Sequence, residues 1–287
     1  MNVRIKTGER LSDVLERIVT EQLDLAADAL ERHDPVQAVY GARKAIKKIR
    51  AFLHMVRAAF PKNAFRAQNQ SLAQAGHQLS PLRDVHVELR VLGVLTDARV
   101  PAARKLRRDL LRQEEPLMRE IPSVKRAVGL VLADSRAKLK SWPLDRVTPG
   151  VLADGFRRVY KKGRNAFQRV RKNPSPKNLH DWRKAVKALD HGLELMAILA
   201  SRRFLRKLKR GRELGDVLGQ GHDLFMVMQA LGGRNGSRPA TGCADLRRQI
   251  TLRRAELRKQ AIKLGQKVYQ KKPGAIVMRL HREFAQL

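Results

Sequence analysis

Apolar residues recur along this chain at intervals of three and four, the period of an amphipathic helix. Alternating runs of Val, Ile, Thr and aromatic residues that would mark strands are scarce, while Leu, Ala, Arg, Lys, Gln and Glu dominate nearly every segment. The pattern predicts an all-α fold, cut by Pro and Gly into about ten helices. Four junctions place a capping residue directly before a proline, as helix starts prefer: Asp34-Pro35, Ser80-Pro81, Thr148-Pro149 and Ser175-Pro176. Ser141 to Gly150, which holds Pro143 and Pro149, is the expected mid-chain linker. Gly232 to Pro239 is expected to be a mobile loop between two late helices.

Helical geometry assigns faces to the most basic of these segments, because each residue advances about 100°. With Tyr40 as origin, Ala42, Ala45, Ile46, Ile49, Phe52, Leu53 and Val56 fall within roughly 60° of the opposite side, which is the predicted core face. Tyr40, Arg43, Lys47, Arg50, His54 and Arg57 form a second stripe about 25 Å long, with Lys44 flanking it. A later helix repeats the design. There Trp182, Ala185, Val186, Leu189, Leu193 and Met196 face inward, and His180, Arg183, Lys184, Lys187 and His191 face away.

The two helices share more than a pattern. Val39 to Lys47 aligns with Leu179 to Lys187 at an offset of 140 residues. Further on, Leu79 to Val85 (LSPLRDV) aligns with Leu218 to Leu224 (LGQGHDL) at an offset of 139, which sets Asp84 against Asp223. An internal repeat is the expected organisation, with repeat one at 1–141 and repeat two at 148–287. Asp84 and Asp223 each follow an expected turn, so their expected role is to cap a helix or complement its dipole.

Composition decides what the stripes are for. Hydrophobic residues are 43% of the 287, enough for a sizeable core, so the chain is no basic tail. Lys and Arg number 61 against 27 Asp and Glu, a formal net charge of +34, which implies an anionic partner. No acidic residue lies between Asp34 and Asp84, although solvated helices usually mix both signs. Like charges such as Arg43 and Lys47 on one face each cost a few tenths of a kcal/mol, a penalty that a bound anion would relieve. Histidine in the stripe can donate to phosphate oxygens and gain charge as pH falls.

Other chemistry is poorly represented. The single cysteine, Cys243, excludes a disulfide framework and a thiolate zinc site. His180 and His191 are eleven residues apart, with no partners expected to complete a metal set. Apolar runs such as Val128 to Ala133 fall far short of the roughly 18 residues of a membrane span. A soluble cytoplasmic protein with no membrane contact, no cofactor, no metal and no catalytic residues is the expectation.

The doubled motif, His-x-x-Arg-x-x-x-Lys/Arg followed by Leu-x-x-x-x-Asp, resembles the conserved-histidine α-helical domain (CHAD) family over nearly the whole chain, 1–287. That resemblance implies two pseudo-symmetric antiparallel helical bundles around a basic cleft, and inorganic polyphosphate as ligand. It places His180, Arg183, Lys184 and Lys187 in the second motif, and Arg43, Lys44, Lys47, Lys48 and Arg50 in the first. Tyr40 stands where the first motif would carry its histidine. The candidate polyphosphate contacts are these residues with His54, Arg57 and His191 from the stripes, and Arg66, Arg83, Arg206 and Arg210 on adjoining helices. Attachment to polyphosphate granules follows as an expectation. The alternative partner is nucleic acid, since charge alone does not separate one polyanion from another. Against it, aromatic residues are only 5% of the chain and do not interleave with the basic positions as stacking platforms.

Overall fold

The computed structural model describes residues 8–95, 100–197, 210–232 and 243–284. Ten α-helices run through them, with no strand among the described residues. They are α1 (Leu11–Glu31), α2 (Pro35–Val56), α3 (Lys62–Gln78), α4 (Ser80–Leu95) and α5 (Pro101–Leu139). After a short 3-10 turn at Leu144–Arg146 come α6 (Pro149–Lys172), α7 (Pro176–Met196), α8 (Arg210–Leu231), α9 (Ala244–Val268) and α10 (Pro273–Phe284). The all-α expectation holds, and the predicted inward faces of α2 and α7 are buried at every named position.

Three of the four expected helix starts are made as the sequence predicts. The Asp34 carboxylate accepts from the Val36 and Gln37 amides at 2.8 and 3.3 Å. Thr148 and Ser175 each accept from the amide three residues on, both at 3.3 Å. A proline follows each as the first helical residue, its fixed φ suited to that position. Ser80 differs. Helices α3 and α4 are separated by Leu79 alone, because Pro81 lacks the amide that would carry the helix on. The Ser80 hydroxyl turns back and donates to the Gly76 carbonyl at 3.1 Å. Helix α5, by contrast, passes through Pro116 and Pro122. Both prolines are on its exposed side, where water can satisfy the carbonyls they leave free.

Helix α2 is the hub of the packing, touching α1, α3, α4, α6 and α7. Helix α5 lies along α1, α3 and α4, while α9 packs on α8 and α10 on α6. One continuous apolar core takes residues from all ten helices. The mid-chain linker is therefore a fixed joint: Trp142, Leu144 and Val147 are buried, and Trp142 stacks on Phe52 with ring centroids 6.4 Å apart. The loop expected at Gly232 to Pro239 lies outside the described residues beyond Gly232. Cys243 is a buried thiol at the start of α9.

Close approach of α2 to α6 requires a glycine. A Cβ on Gly155 would stand 2.0 Å from the Met55 carbonyl oxygen, so backbone would have to move. Gly155→Ala should destabilise the protein by about 3 kcal/mol, the upper part of the usual overpacking range. Gly129→Ala on α5, where a Cβ meets nothing, should instead stabilise by up to about 1 kcal/mol. Urea unfolding of both variants checks the contrast.

Candidate anion-binding recess

Helices α2, α4, α8 and α7 touch in sequence around a closed ring, α2 against α4, α4 against α8, α8 against α7 and α7 against α2. Each sends charge toward the middle. From α2 come Arg43 and Lys47, from α4 Arg83 and Asp84, from α7 His180, Arg183 and Lys187, and from α8 Asp216, His222 and Asp223. Water still reaches the Lys47 side chain, yet burial and then Arg43, Arg83 and Arg183 push its ammonium down to about 8, with Asp84 opposing the shift. Cations from α2, α4 and α7 thus converge on one point.

The arginines are held from behind. Arg43 donates to the Gly76 carbonyl and the Ser80 hydroxyl at the break between α3 and α4. Burial lowers the Arg43 and Arg183 pKa values from their high ordinary level, though guanidinium keeps its charge throughout. The buried Arg183 Nε has no hydrogen-bond partner. An unmet buried donor is costly, and at a charge cluster it points to an acceptor supplied by a ligand.

Asp84 and Asp223 are not caps. Asp84 is four residues into α4, and α8 runs unbroken through the glycines at 215, 219 and 221, so no turn precedes Asp223. Both are counter-charges. Asp84 pairs with Arg83 at 3.0 Å. Asp223 lies 3.9 Å from Arg83, 3.8 Å from Arg90 and 3.6 Å from the His222 Nδ1. Burial would raise the Asp223 carboxyl, but His222, Arg83 and Arg183 outweigh it and hold the group below the ordinary carboxylate value. Lys187 meets Asp216 at 3.2 Å. His180 stacks on His222, centroids 5.2 Å apart, and burial followed by Lys184, His222 and Arg183 lowers its pKa.

Basic charge continues along α2 away from the ring. The Arg50 Nε donates to Asn69 Oδ1 at 3.1 Å, and His54 meets the Phe65 ring edge-on at 5.3 Å. Burial, then Arg50, Lys162 and Arg57, push His54 down to about 4. His54 is therefore neutral at physiological pH, whereas the stripe alone suggested an imidazole close to charging. Lys162 and Arg158 of α6, unremarked in the sequence, add to this end.

The remaining candidates separate. Lys44 and Lys184 are exposed on their helices beside the ring, and Lys184 is near enough to His180 to lower its pKa. Arg57, Arg66 and Arg210 are exposed, with no contact that ties them to the ring. Arg206 lies outside the described residues. Lys48 and His191 are drawn elsewhere: Lys48 pairs with Glu194 at 2.9 Å, and His191 lies 4.0 Å from the same carboxylate. Helical drift explains both, since Lys48 is about 100° from Lys47 and His191 about 80° from Arg183. Burial would raise Glu194, but His191 and Lys48 bring it to about 2. Asp190, His191 and Glu194 do gather their ligand atoms within 4.8 Å, a grouping the spacing of the histidines did not suggest. Arg212 reaches Asp190 at 3.5 Å and Glu194 at 3.3 Å, so with Lys48 it already neutralises those carboxylates.

Among families, a CHAD domain model matches residues 15–232. The chain belongs to the CHAD family. The CHAD match runs from within α1 to the end of α8 and so contains all four helices of the ring, while α9 and α10 lie beyond it. The fold is similar to the CHAD domain from the plant Ricinus communis, with TM-score 0.60 and 18% identity over 98% of this chain and 95% of that one. It is also similar to PptA from Streptomyces chartreusis, with TM-score 0.62 and 19% identity over 91% of this chain and 99% of that one. No curated protein matches the chain. Among the described residues no helix is long and apolar enough to cross a membrane.

Lys47 supplies a stability test of the recess. Its folded pKa of about 8 lies below the ordinary 10.5, so the unfolded chain binds more protons between those values. Stability should therefore rise as pH increases from about 8 toward 10.5. Lys47→Met should raise the urea midpoint at pH 7 and flatten this pH dependence.

Proposed function

We propose that this CHAD protein binds inorganic polyphosphate in the recess between α2, α4, α7 and α8 and does not process it. The observation that carries the reading is the meeting of Arg43, Lys47, Arg83 and Arg183 in one cluster, with the Arg183 Nε lacking an acceptor. A polyphosphate chain bears about one negative charge per internal phosphate. Arg forks hydrogen-bond two of its oxygens and Lys adds point charge, while counterion release makes affinity fall steeply with salt. Lys184 and Lys44 extend the contact outward from the ring, and Arg50 with Arg57 continues it along α2. A protein gripping polyphosphate in this way would collect on granules of it.

The placement of the acids supports binding over catalysis. Phosphoanhydride cleavage needs a general base or carboxylates able to hold a metal. Asp84 is paired with Arg83, and Asp223 is ringed by Arg83, Arg90 and His222. Their positions suit tuning of the cationic field. Nucleic acid is the other polyanion to weigh. Trp142, Phe156, Tyr160, Phe167, Trp182 and Tyr269 are buried, and although Tyr40 is exposed on α2, few aromatic faces are left to stack successive bases.

Lys47→Glu combined with Lys187→Glu should weaken retention on long-chain polyphosphate at least tenfold, with the helical circular dichroism unchanged. In competition at matched phosphate concentration, polyphosphate should displace DNA and RNA. Equal retention by the variant would overturn the site, and preferential retention of DNA or RNA would overturn the ligand.

A further inference from the structure

Beyond the ring, on the far side of the His180–His222 stack, a cavity of about 430 Å³ opens between the first turn of α7, the middle of α8 and the middle of α9. Its wall is apolar, formed chiefly by Leu218, Phe225 and Leu257. The charged groups among its described lining residues are all basic: Lys177, Arg254 and Arg258, besides the two imidazoles. Arg254 lies over the Phe225 ring, 4.9 Å from its centroid, which fixes the guanidinium beside the apolar wall. Burial and then Arg258 lower the Arg254 pKa, so two cations one turn apart crowd the same opening.

The space is kept open by a residue choice that packing does not require. Leu218, Gly221, His222 and Phe225 form one face of α8 along the cavity. Glycine is a poor helix former, and a Cβ on Gly221 would meet nothing within 4 Å. No close approach of backbone demands glycine there. Any larger side chain at 221 would project into the empty volume. Helix α7 also begins at this cavity, with Pro176 and Lys177 in its first turn, where amide dipoles favour an anion.

We infer that this cavity is a second binding site, for a small organic phosphate whose apolar body fills the pocket while its phosphates meet the basic rim. Volume, apolar wall and few convergent polar groups match what small-ligand sites require. Inorganic polyphosphate has no apolar body and gains nothing from this wall, so the cavity suits a different ligand from the one proposed for the ring. His180 and His222, which stack on each other, line the cavity and also belong to the ring.

Two probes distinguish the sources of such a ligand: ATP, with a planar base, and geranyl diphosphate, with an isoprenyl chain. Inorganic triphosphate and pyrophosphate are their controls, carrying the anion without the body. In calorimetric titrations of the full chain, at least one probe should bind tenfold or more tightly than its control. Gly221→Leu, or Thr251→Trp from the α9 wall should the first fold poorly, should remove that advantage while long-chain polyphosphate is retained as before. The Lys47→Glu/Lys187→Glu variant should show the reverse, so loss of the recess and loss of the cavity are read separately. The proposal is overturned if neither probe outbinds its control, or if filling the cavity leaves the difference intact.

Discussion

Like-charge crowding around Lys47 is the constraint that the rest of the molecule accommodates. Four cations from three helices share one recess, and burial there lowers the pKa of Lys47 to about 8 and shifts Arg43 and Arg183 in the same direction. Left to itself such a cluster would drive its helices apart. What holds them is the apolar face of α2 beneath it, where Ala42, Ala45, Ile46 and Ile49 are within a few per cent of full burial. Each such side chain contributes on the order of 1–3 kcal/mol of transfer free energy, against repulsions softened by an effective dielectric constant of about 20. The core can hold the strain because α2 is packed on five sides.

The acids temper this field without cancelling it. Asp84 and Asp223 come from the two helices that do not carry the basic stripes, and each sits beside Arg83. Placed so, they keep the ring from repelling itself outright and orient the guanidinium forks from behind. More carboxylate would repel an incoming anion, and less would leave the arginines free to swing into water. Arg43 is fixed by a different device, the carbonyl and hydroxyl exposed where Pro81 interrupts the helix. A break in secondary structure thus serves as an anchor for a charged side chain. Groups positioned before the ligand arrives lose little entropy when it binds.

Much of this is legible in the sequence. Periodicity alone separates Ile46 and Ile49 from Arg43 and Lys47, and Trp182 and Val186 from Arg183 and Lys187, because a helix projects each position to a fixed angle. The caps at Asp34, Thr148 and Ser175 follow from chemistry confined to three or four residues. Tertiary context governs the rest. Leu-Gly-Gln-Gly-His-Asp-Leu reads as a turn by composition, yet α8 runs straight through it because Leu214, Val217, Leu218 and Leu224 bury one face. Once that helix is continuous, Asp223 stops being a cap and becomes a counter-charge, and His222 enters the site. Lys48 and His191 belong to the family motif or to the stripe by spacing, but Glu194 claims both. Which carboxylate a lysine meets depends on packing between helices distant in sequence, and periodicity within one helix does not encode it.

The imidazoles show what such a field does to a residue expected to be cationic. His54 is pushed to about 4 and His180 is lowered, each by burial first and then by cationic neighbours. At neutral pH they add no charge to a surface that already has an excess. A neutral imidazole still donates one N–H and accepts at the other nitrogen, which lysine and arginine do not do. It therefore supplies direction where its neighbours supply attraction. In the folded protein burial, then Lys184, His222 and Arg183, disfavour protonation of His180, with Asp181 opposing them. An imidazole at this position has a charge that its surroundings can change, a property that Tyr40, 59% exposed on α2, lacks near neutral pH.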